Sequence, residues 1–299
     1  MIRFSFIIPT YNRSDSLLDL LESINSMDSN GCPFELIVIN DGSTDGTELV
    51  ITNWKCSNEY VDFKFVTIPN GGPAKARNHG SALATGVWLI FIDDDCVLPK
   101  NYLTSLDHSI GLEKECSAIC GNIIGFNQSF LSRYIDWTGL MQSPNDSSNG
   151  KLYFLTANAI VDRILFMRLG GFNTSFRYAS GEDVFLSDMI RKSGHSILFF
   201  KDCFIWHKHR DTITGIFKTC NLYGLGHFQL ELSCGKHYRR NLIRNLVGEF
   251  IHSSKKVYRS NALRYGMFYV FLDLLKVLAW TKGYNYAFDA FRHDQSELK

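Results

Sequence analysis

The sequence has almost no excess of charge and no cysteine pattern typical of a metal site. Its 31 Lys and Arg residues balance 30 Asp and Glu residues, which leaves a formal net charge of +1. Such a balance gives no electrostatic reason to expect a nucleic-acid partner. The eight cysteines occur without CxxC or Cys/His zinc spacing. We therefore expect free thiols in a reducing, cytoplasmic setting.

Long apolar runs near the N-terminus and glycine-rich nucleotide loops are also missing. The stretch FSFIIP is too short for the apolar core of a signal peptide and runs straight into polar sequence. No GxGxxG follows it, and no GxxxxGK[ST] occurs anywhere. These absences exclude a dinucleotide-binding fingerprint and a P-loop. With 299 residues, 45% of them hydrophobic, the chain is long enough for one large α/β domain and an extension.

Strand and helix patterns alternate through the first half of the chain. Apolar strand patterns cover residues 3–9, 34–40, 61–68 and 87–93. Helical patterns cover residues 14–27, 43–54 and 72–85. Unbroken apolar strands separated by such helices indicate a parallel sheet covered by helices, and ligands bind beyond the carboxyl ends of its strands. Polar segments follow the four strands: PTYNR, NDGSTD, PNGGPAKARN and DDD.

Three consecutive carboxylates end the fourth predicted strand, in LIFIDDDC (89–96). Adjacent like charges repel, and Asp is a poor strand former. Since side chains alternate along an extended chain, we expect Asp93 and Asp95 to share one side while Asp94 points away. Two carboxylates on one side form an oxygen-rich half-shell for a hard divalent cation shared with phosphate. Helix capping or a solvated loop explains one Asp here more readily than three.

The same segment admits a second interpretation. DDDCV (93–97) satisfies DxDx[TV], the nucleophile signature of haloacid-dehalogenase-type phosphatases. In those enzymes the signature ordinarily lies on the opening strand, whereas here it ends the fourth predicted strand. We keep phosphatase activity as an alternative that a generic phosphomonoester would test.

Seven motifs in a fixed order carry a resemblance to a known family. They are SFIIPTYNR, ELIVINDGSTDGT, GGPAKARNHG, LIFIDDDC, GGFNTSF, GEDVFLSDMIRKSG and IWH. The chain resembles the inverting nucleotide-sugar glycosyltransferases of the GT-A fold, family-2 type, over roughly residues 1–210. The resemblance implies an α/β catalytic domain (1–210) with a Rossmann-like, mainly parallel sheet flanked by helices, and a helical extension (211–299). It also implies transfer of a hexose from a nucleotide sugar, most simply a UDP-sugar, to a hydroxyl or thiol.

The resemblance assigns a donor pocket residue by residue. Asp41 would accept a hydrogen bond from a ring N–H of the base, and Tyr11 would lie near that base. Asn40 precedes Asp41 where many relatives carry a second Asp, so Asp41 is the one carboxylate at that corner. The same NDGS stretch is also typical of an ordinary turn. The other nucleotide-binding positions implied are Pro9, Thr10, Arg13, Gly72, Arg77, Asp93 and Asp94.

GED (181–183) is the second chemical centre that the resemblance implies. Inversion needs a base that takes the acceptor proton while its oxygen or sulfur attacks the anomeric carbon. The resemblance makes Asp183 that base, with Glu182 as the alternative base or a ligand of sugar hydroxyls. Asp95 would hold a divalent cation, Mn²⁺ or Mg²⁺, with His207 as second ligand and His209 as its alternative. Acidic residues at a helix N-terminus are also common for electrostatic reasons alone.

From about residue 211 the sequence changes to aromatic-rich helical patterns without strands. A basic stretch, in which Glu249 is the one acid, precedes the aromatic run 265–280, which is too short and too charged to span a bilayer. We expect these helices to pack on the catalytic domain, to form an acceptor or homo-oligomer contact, or to rest on an anionic inner membrane face. The basic residues are Lys236, Arg239, Arg240, Arg244, Lys255, Lys256, Arg259 and Arg264.

The motifs leave the acceptor open among glycans, lipid-linked sugars and peptides. A non-catalytic nucleotide-sugar-binding protein is the alternative from another functional class. Such a protein would be expected to have lost one of its carboxylate centres, whereas DDD and GED are both present. The sequence therefore predicts an active enzyme, and donor hydrolysis with and without a divalent cation separates the two classes.

Overall fold

The computed structural model divides the chain into two compact units. It describes residues 2–57, 62–113, 116–141, 152–176, 180–210, 212–233, 235, 239–259 and 266–297. The first unit comprises Met1–Arg177 and Asp183–His209, and the second comprises Tyr178–Glu182 and Arg210–Lys299. The assignment of a catalytic role to 1–210 and of an auxiliary role to 211–299 stays a prediction.

A mixed sheet forms the centre of the first unit. Its described strands are β1 (Phe4–Thr10), β2 (Phe34–Asn40), β3 (Asp62–Thr67), β4 (Trp88–Phe91), β5 (Cys96–Val97), β6 (Ala118–Gly125), β7 (Ala159–Asp162) and β8 (Ile197–His207). They lie in the order β3-β2-β1-β4-β7-β6-β8-β5. The pairs β3–β2, β2–β1, β1–β4 and β6–β8 are parallel. The pairs β4–β7, β6–β7 and β5–β8 are antiparallel.

Helices cover both faces of this sheet. They are α1 (Ser14–Asn25), α2 (Thr47–Ser57), α3 (Pro73–Leu83), α4 (Tyr102–Leu112), α5 (Phe130–Thr138), α6 (Arg163–Arg168) and α7 (Glu182–Lys192). Along β1, Phe6 and Ile8 pack into one core with α1 and α4, whereas Ile7 packs into a second core with α3 and α7. Because both faces are buried, the strands read as continuous apolar runs, and each large side chain so buried contributes about 1.5–3 kcal/mol.

The predicted strands and helices are present with shifted ends. β2 matches its predicted bounds, and β1 and β3 differ from theirs by a residue at each end. The second helix begins at Thr47 rather than at 43, because Asp45 Oδ1 accepts a hydrogen bond from Thr47 N–H (3.0 Å) and thereby caps the helix. β4 ends at Phe91, two residues before the predicted end at 93.

Three helices form the second unit: α8 (Ile213–Ser233), α9 (Leu242–Arg259) and α10 (Gly266–Glu297). The backbones of α8 and α10 come close together at Gly224, where a Cβ would lie 2.0 Å from the carbonyl oxygen of Trp280. Phe228, Tyr284 and Phe288 form a small aromatic core between them. The described helices include none with the length and apolar character needed to cross a membrane.

Candidate active site

The three consecutive carboxylates lie in a turn rather than in a strand. β4 stops at Phe91, and the N–H of Cys96 donates to the carbonyl oxygen of Asp93 at 3.2 Å, which closes the turn. The chain then enters β5, where Cys96 pairs with His207 of β8. This turn brings the carboxylates next to the end of β8.

The prediction that Asp93 and Asp95 share one side while Asp94 points away is wrong. Arg13 Nη1 donates to Asp94 Oδ1 at 3.1 Å and also forms an ion pair with Asp95. Asp93 instead accepts a hydrogen bond from Arg77 Nη2 at 2.6 Å. The reason is that side chains alternate only along extended backbone, and the turn removes that alternation. Two arginines therefore share the charge of three carboxylates.

Asp94 is fixed against the first strand. Its Oδ2 accepts a hydrogen bond from Thr10 Oγ1 at 2.8 Å, and the side chain is almost completely buried. Burial raises the pKa of Asp94 to about 7, although Arg13 acts in the opposite direction. The predicted nucleotide contacts of Thr10, Arg13 and Asp94 stay predictions, and in this structure the three bond to one another.

Asp95 and His207 face each other at the centre of the cluster. Asp95 Oδ1 lies 3.1 Å from His207 Nε2 but receives no well-aligned hydrogen bond from the described residues. Burial alone would lower the pKa of His207, yet Asp95 raises it. Burial would likewise raise the pKa of Asp95, yet His207 and Arg13 lower it. Both shifts show that a positive charge is favoured between these two groups.

Three potential ligand atoms lie within 4.8 Å of one another here, from Asp95, Cys96 and His207. Burial raises the pKa of the Cys96 thiol well above its ordinary value, so the thiolate that binds metals is strongly disfavoured. The Cys96 Sγ atom instead lies 3.7 Å from the carbonyl oxygen of Ala157. The carboxylate and the imidazole are therefore the better ligands of this set.

A chain of hydrogen bonds behind His207 determines which tautomer a neutral His207 adopts. His207 Nδ1 lies 3.0 Å from His209 Nδ1, and His209 Nε2 lies 3.0 Å from Asp136 Oδ1. A carboxylate accepts, so a neutral His209 carries its proton on Nε2 and accepts at Nδ1. The donor at that bond is then Nδ1–H of His207. A neutral His207 consequently presents a bare Nε2 lone pair toward Asp95.

This arrangement fits a divalent cation. A lone pair facing a carboxylate oxygen is repulsive unless a proton or a metal ion lies between them. Donor atoms about 2.1 Å from one octahedral ion are about 3 Å apart, which is the observed separation of Asp95 Oδ1 and His207 Nε2 (3.1 Å). His209, the alternative ligand, is turned toward Asp136 and bonds to His207, which is an arrangement commonly found behind metal ligands.

Asp136 was not found by sequence reasoning. It lies on α5, 73 positions from His209, in a stretch without any of the seven motifs. The N–H of Gly125 donates to Asp136 Oδ1 at 3.1 Å, and a Cβ on Gly125 would lie 2.6 Å from Asp136 Oδ2. A larger residue at position 125 would therefore displace the Asp136 carboxylate. Only the pairing of β6 with β8 brings these residues together.

Asp41 joins two loops at the carboxyl ends of β2 and β3. Its two carboxylate oxygens accept hydrogen bonds from Gly71 N–H (2.8 Å) and Gly72 N–H (2.9 Å). Burial raises the pKa of Asp41, and the two amide donors oppose that shift. Gly72 has a φ of 87°, in the left-handed region that favours glycine. Each oxygen keeps a lone pair for a ligand, so base recognition by Asp41 stays a prediction that this geometry permits.

The loop after β1 places an aromatic ring at the same edge. Tyr11 is 49% exposed, whereas Pro9 is buried inside β1 beside Ile39. Asn12 has a φ of 52°, and its Oδ1 accepts a hydrogen bond from Thr44 N–H at 2.7 Å. The β1 and β2 loops are thereby tied together. Tyr11 is exposed to solvent, where a planar ligand can reach it, and the predicted nucleotide contacts of Tyr11 and Pro9 stay predictions.

Arg77 connects the two carboxylate centres electrostatically. Its side chain is only 2% exposed, and it packs over the ring of Phe172 while it pairs with Asp93. Burial raises the pKa of Asp183, with Arg77 lowering it and Asp93 raising it further. Asp183 therefore lies close enough to feel both charges. Glu182, the first residue of α7, is buried.

A family model agrees with this fold and these motifs. The model described as Glycosyl transferase family 2 matches residues 5–180. The chain belongs to this family. Its mixed sheet flanked by helices confirms the predicted GT-A fold class, and the interpretation as an inverting glycosyltransferase is confirmed at the level of the family.

Similar proteins that are named for their activities support the same family. A poly(ribitol-phosphate) β-N-acetylglucosaminyltransferase, TarS of Staphylococcus aureus, is 32% identical over 103 residues, which are 34% of this chain and 18% of that protein. The match thus spans less than a fifth of that relative. The Escherichia coli protein WfaP, a UDP-Glc:α-D-GlcNAc-diphosphoundecaprenol β-1,3-glucosyltransferase, is 26% identical over 182 residues, 60% of this chain and 66% of that protein.

A solved structure shares the fold at low sequence identity. The mannosyltransferase PcManGT from Pyrobaculum calidifontis, in complex with GDP-Man and Mn²⁺, is 20% identical with a TM-score of 0.59. The alignment covers 93% of this chain and 73% of that chain. At this identity the likeness shows the fold alone.

Proposed function

We propose that the chain is a metal-dependent inverting glycosyltransferase that moves a hexose from a nucleotide sugar to an acceptor hydroxyl. The observation that carries the proposal is the pairing of two centres on one sheet edge. Asp95 and His207 present ligand atoms 3.1 Å apart, and Asp183 lies within electrostatic reach of the adjacent Asp93 and Arg77. Inverting transfer needs this combination of a cation site and a carboxylate base.

Each residue has a distinct task in this proposal. Asp41 and Tyr11 bind the base, and Asp93 with Arg77 contacts the ribose or donor sugar. Asp95 and His207 hold the divalent cation, which when bound neutralises the charge of the leaving diphosphate. Asp183 takes the proton of the attacking hydroxyl, and its raised pKa makes it a stronger base than an exposed carboxylate. Glu182 is the alternative base.

The donor is a nucleotide with a ring N–H, most simply a UDP-sugar. An ionised Asp41 accepts hydrogen bonds and does not donate them, so it suits uracil N3–H and guanine N1–H equally. UDP-glucose is named for WfaP, and GDP-Man is bound in PcManGT. A screen of UDP-sugars and GDP-mannose for hydrolysis therefore identifies the donor.

That screen also tests the proposed chemistry. We expect hydrolysis of one donor to require Mn²⁺ or Mg²⁺ and to stop on chelation. Donor binding without hydrolysis or transfer in any acceptor mixture would instead indicate a non-catalytic binding protein. Turnover of a generic phosphomonoester with Asp93 as nucleophile would indicate the phosphatase alternative.

For the acceptor we propose a chemical class rather than one compound. TarS is named for a polyol-phosphate polymer and WfaP for a diphosphoundecaprenol-linked sugar, so we propose the hydroxyl of a glycan or lipid-linked sugar ahead of a peptide. We also propose that the enzyme works in the cytoplasm, where nucleotide sugars are made. Homo-oligomerisation stays a prediction.

A further inference from the structure

α9 has one buried face and one exposed apolar face. At about 100° per residue, Ser253 and Val257 lie on one side of the helix and are buried. A second arc of the helix carries exposed apolar side chains, with Ile243 74% and Tyr258 80% exposed. This apolar stripe comprises Ile243, Val247, Phe250, Ile251 and Tyr258. A soluble helix normally turns such a stripe inward.

A basic stripe borders the apolar one. Arg244 and Lys255 are exposed and follow the apolar arc around the helix, with His252 beside them. Glu249 is the one acid on α9, and it lies on the packed side, 3.5 Å from Lys276. The described residues of the exposed arcs therefore include cations and no carboxylate.

The start of α10 extends the apolar stripe. Gly266 packs against Val257 of α9, since a Cβ there would lie 2.3 Å from Val257 Cγ1. The next turn exposes Met267 (82%), Phe268 and Phe271. The remainder of the aromatic run 265–280 is largely internal, because Tyr269, Val270, Leu272 and Ala279 are buried. The exposed apolar surface is thus mainly on α9 rather than on that run.

Other cations of the basic stretch are paired within the second unit. Arg240 pairs with Glu231, and its guanidinium lies 4.8 Å from the ring centre of Tyr284. Arg239 lies 3.3 Å from Asp289. Lys236 and Arg264 lie outside the described residues. Lys256 interacts with Asp273, and the side chain of Arg259 is not among those described. Arg244 and Lys255 are therefore the described cations of this stretch that remain for an external partner.

We propose that α9 lies on an anionic lipid bilayer, with its apolar stripe among the acyl chains and its basic stripe at the headgroups. An amphipathic helix with a basic border is the form that interfacial binding takes. A second copy fits less well, because a two-fold interface pairs a surface with itself and this surface has no carboxylate to meet its cations. The proposal does not depend on glycosyl transfer.

The test is sedimentation of the full chain with vesicles, in the absence of donor and metal. We expect binding to phosphatidylcholine vesicles containing about one third phosphatidylglycerol at low salt, and weak binding to pure phosphatidylcholine or at high salt. Val247→Ser with Ile251→Ser, and separately Arg244→Gln with Lys255→Gln, should each weaken binding on the order of tenfold.

Matched controls come from exposed residues of the first unit. Leu49→Ser with Ile164→Ser removes two exposed apolar side chains, and Lys100→Gln with Lys201→Gln removes two exposed cations. Both controls should bind vesicles like the parent chain. Equal binding by the α9 variants, or no binding to anionic vesicles, would overturn the proposal. A dimer that is lost in the Val247→Ser, Ile251→Ser variant, without vesicle binding, would assign the face to a second copy and overturn it as well.

Discussion

Two buried carboxylates at opposite ends of the same sheet differ in how completely they are hydrogen-bonded. Glu35, near the amino end of β2, accepts at Oε1 from Ser5 Oγ (2.7 Å), Thr85 N–H (2.6 Å) and Gly86 N–H (3.2 Å). Its Oε2 accepts from Lys64 Nζ at 2.5 Å. Asp95, beyond the carboxyl end of β4, pairs with Arg13 at one oxygen only, and its other oxygen lacks an aligned donor among the described residues.

The difference separates a stabilising carboxylate from a functional one. A buried carboxylate with all its acceptor sites filled strengthens the fold, whereas one that is partly filled costs stability unless a ligand completes it. Proteins tolerate that cost mainly at functional sites. We therefore expect substitution of Asp95 to abolish activity, and substitution of Glu35 to lower stability while leaving activity unchanged.

The largest effect is expected for Asp95→Asn. The neutral amide no longer balances a cation beside His207, so transfer should fall by about a thousandfold or more and metal-dependent donor binding should disappear. Thermal stability in the absence of metal should fall as well, because His207 and Arg13 lower the pKa of Asp95 and the ionised carboxylate therefore stabilises the fold. Calorimetric donor titration with and without Mn²⁺, and a thermal melt, measure both. Full activity of the variant in chelator-treated buffer would contradict the assignment.

The next effect is expected for Asp183→Asn. Loss of the general base should lower turnover by about a hundredfold or more with donor affinity unchanged. The burial that raises the pKa of Asp183 also predicts the pH profile, since a protonated base is inactive. Activity of the parent enzyme should fall as the pH drops through that raised pKa.

The pH profile of kcat/KM and a calorimetric titration with the donor test whether Asp183 or Glu182 is the base. The acid limb of kcat/KM should vanish in Asp183→Asn and persist in Asp188→Asn, a change of a more exposed carboxylate on the same helix. Equal loss of donor binding and turnover in Asp183→Asn would place Asp183 in the donor site and make Glu182 the base.

A smaller effect is expected for Asp136→Asn, which acts through His209. The amide oxygen would still accept from Gly125 N–H and from His209 Nε2, but it carries no charge, so it polarises His209 and His207 less and makes His207 Nε2 a weaker metal ligand. Metal affinity should fall about 10–100-fold, while donor binding without metal should be kept. Competition between Mn²⁺ and a chromophoric chelator measures this. Unchanged metal affinity would show that His209 does not orient His207.

The sequence predicted the elements that are local and repeated. The parallel strands β1 to β4 and the helices between them follow from apolar runs and loop composition. The motifs selected Asp95, His207 and Asp183 as candidates, and their roles stay predictions. The exact direction of each carboxylate could not be predicted, because it depends on where β4 ends. That end is set by the turn that Asp93 and Cys96 close.

Residues brought together by non-local pairing were not predicted. Asp136 reaches His209 only because β6 and β8 run side by side, and no motif includes it. Glu35 reads as one polar residue at the start of an apolar strand, with nothing to indicate that Ser5, Lys64 and Thr85 converge on it. Such contacts are a property of the sheet order rather than of any local stretch.

The smallest effect on function, with a clear effect on stability, is expected for Glu35→Gln. Burial alone would raise the pKa of Glu35, but hydrogen bonds from Lys64, Ser5 and Thr85 outweigh it and lower the pKa to about 2. Replacing the carboxylate leaves Lys64 without its counter-charge and should cost about 1.5–3 kcal/mol of unfolding free energy at neutral pH, because hydrogen bonds to charged groups are worth that much. Donor binding and turnover should be unchanged.

The pH dependence of that loss follows from the lowered pKa. The folded protein keeps Glu35 ionised when the unfolded chain, with a pKa near 4.5, takes up a proton. The stabilisation is therefore complete above about pH 5 and is lost as the pH falls from the unfolded value toward 2. Urea unfolding of the parent and of Glu35→Gln should give curves that converge across this window. Curves that stay parallel down to pH 2 would show that the charge of Glu35 does not stabilise the amino end of the sheet.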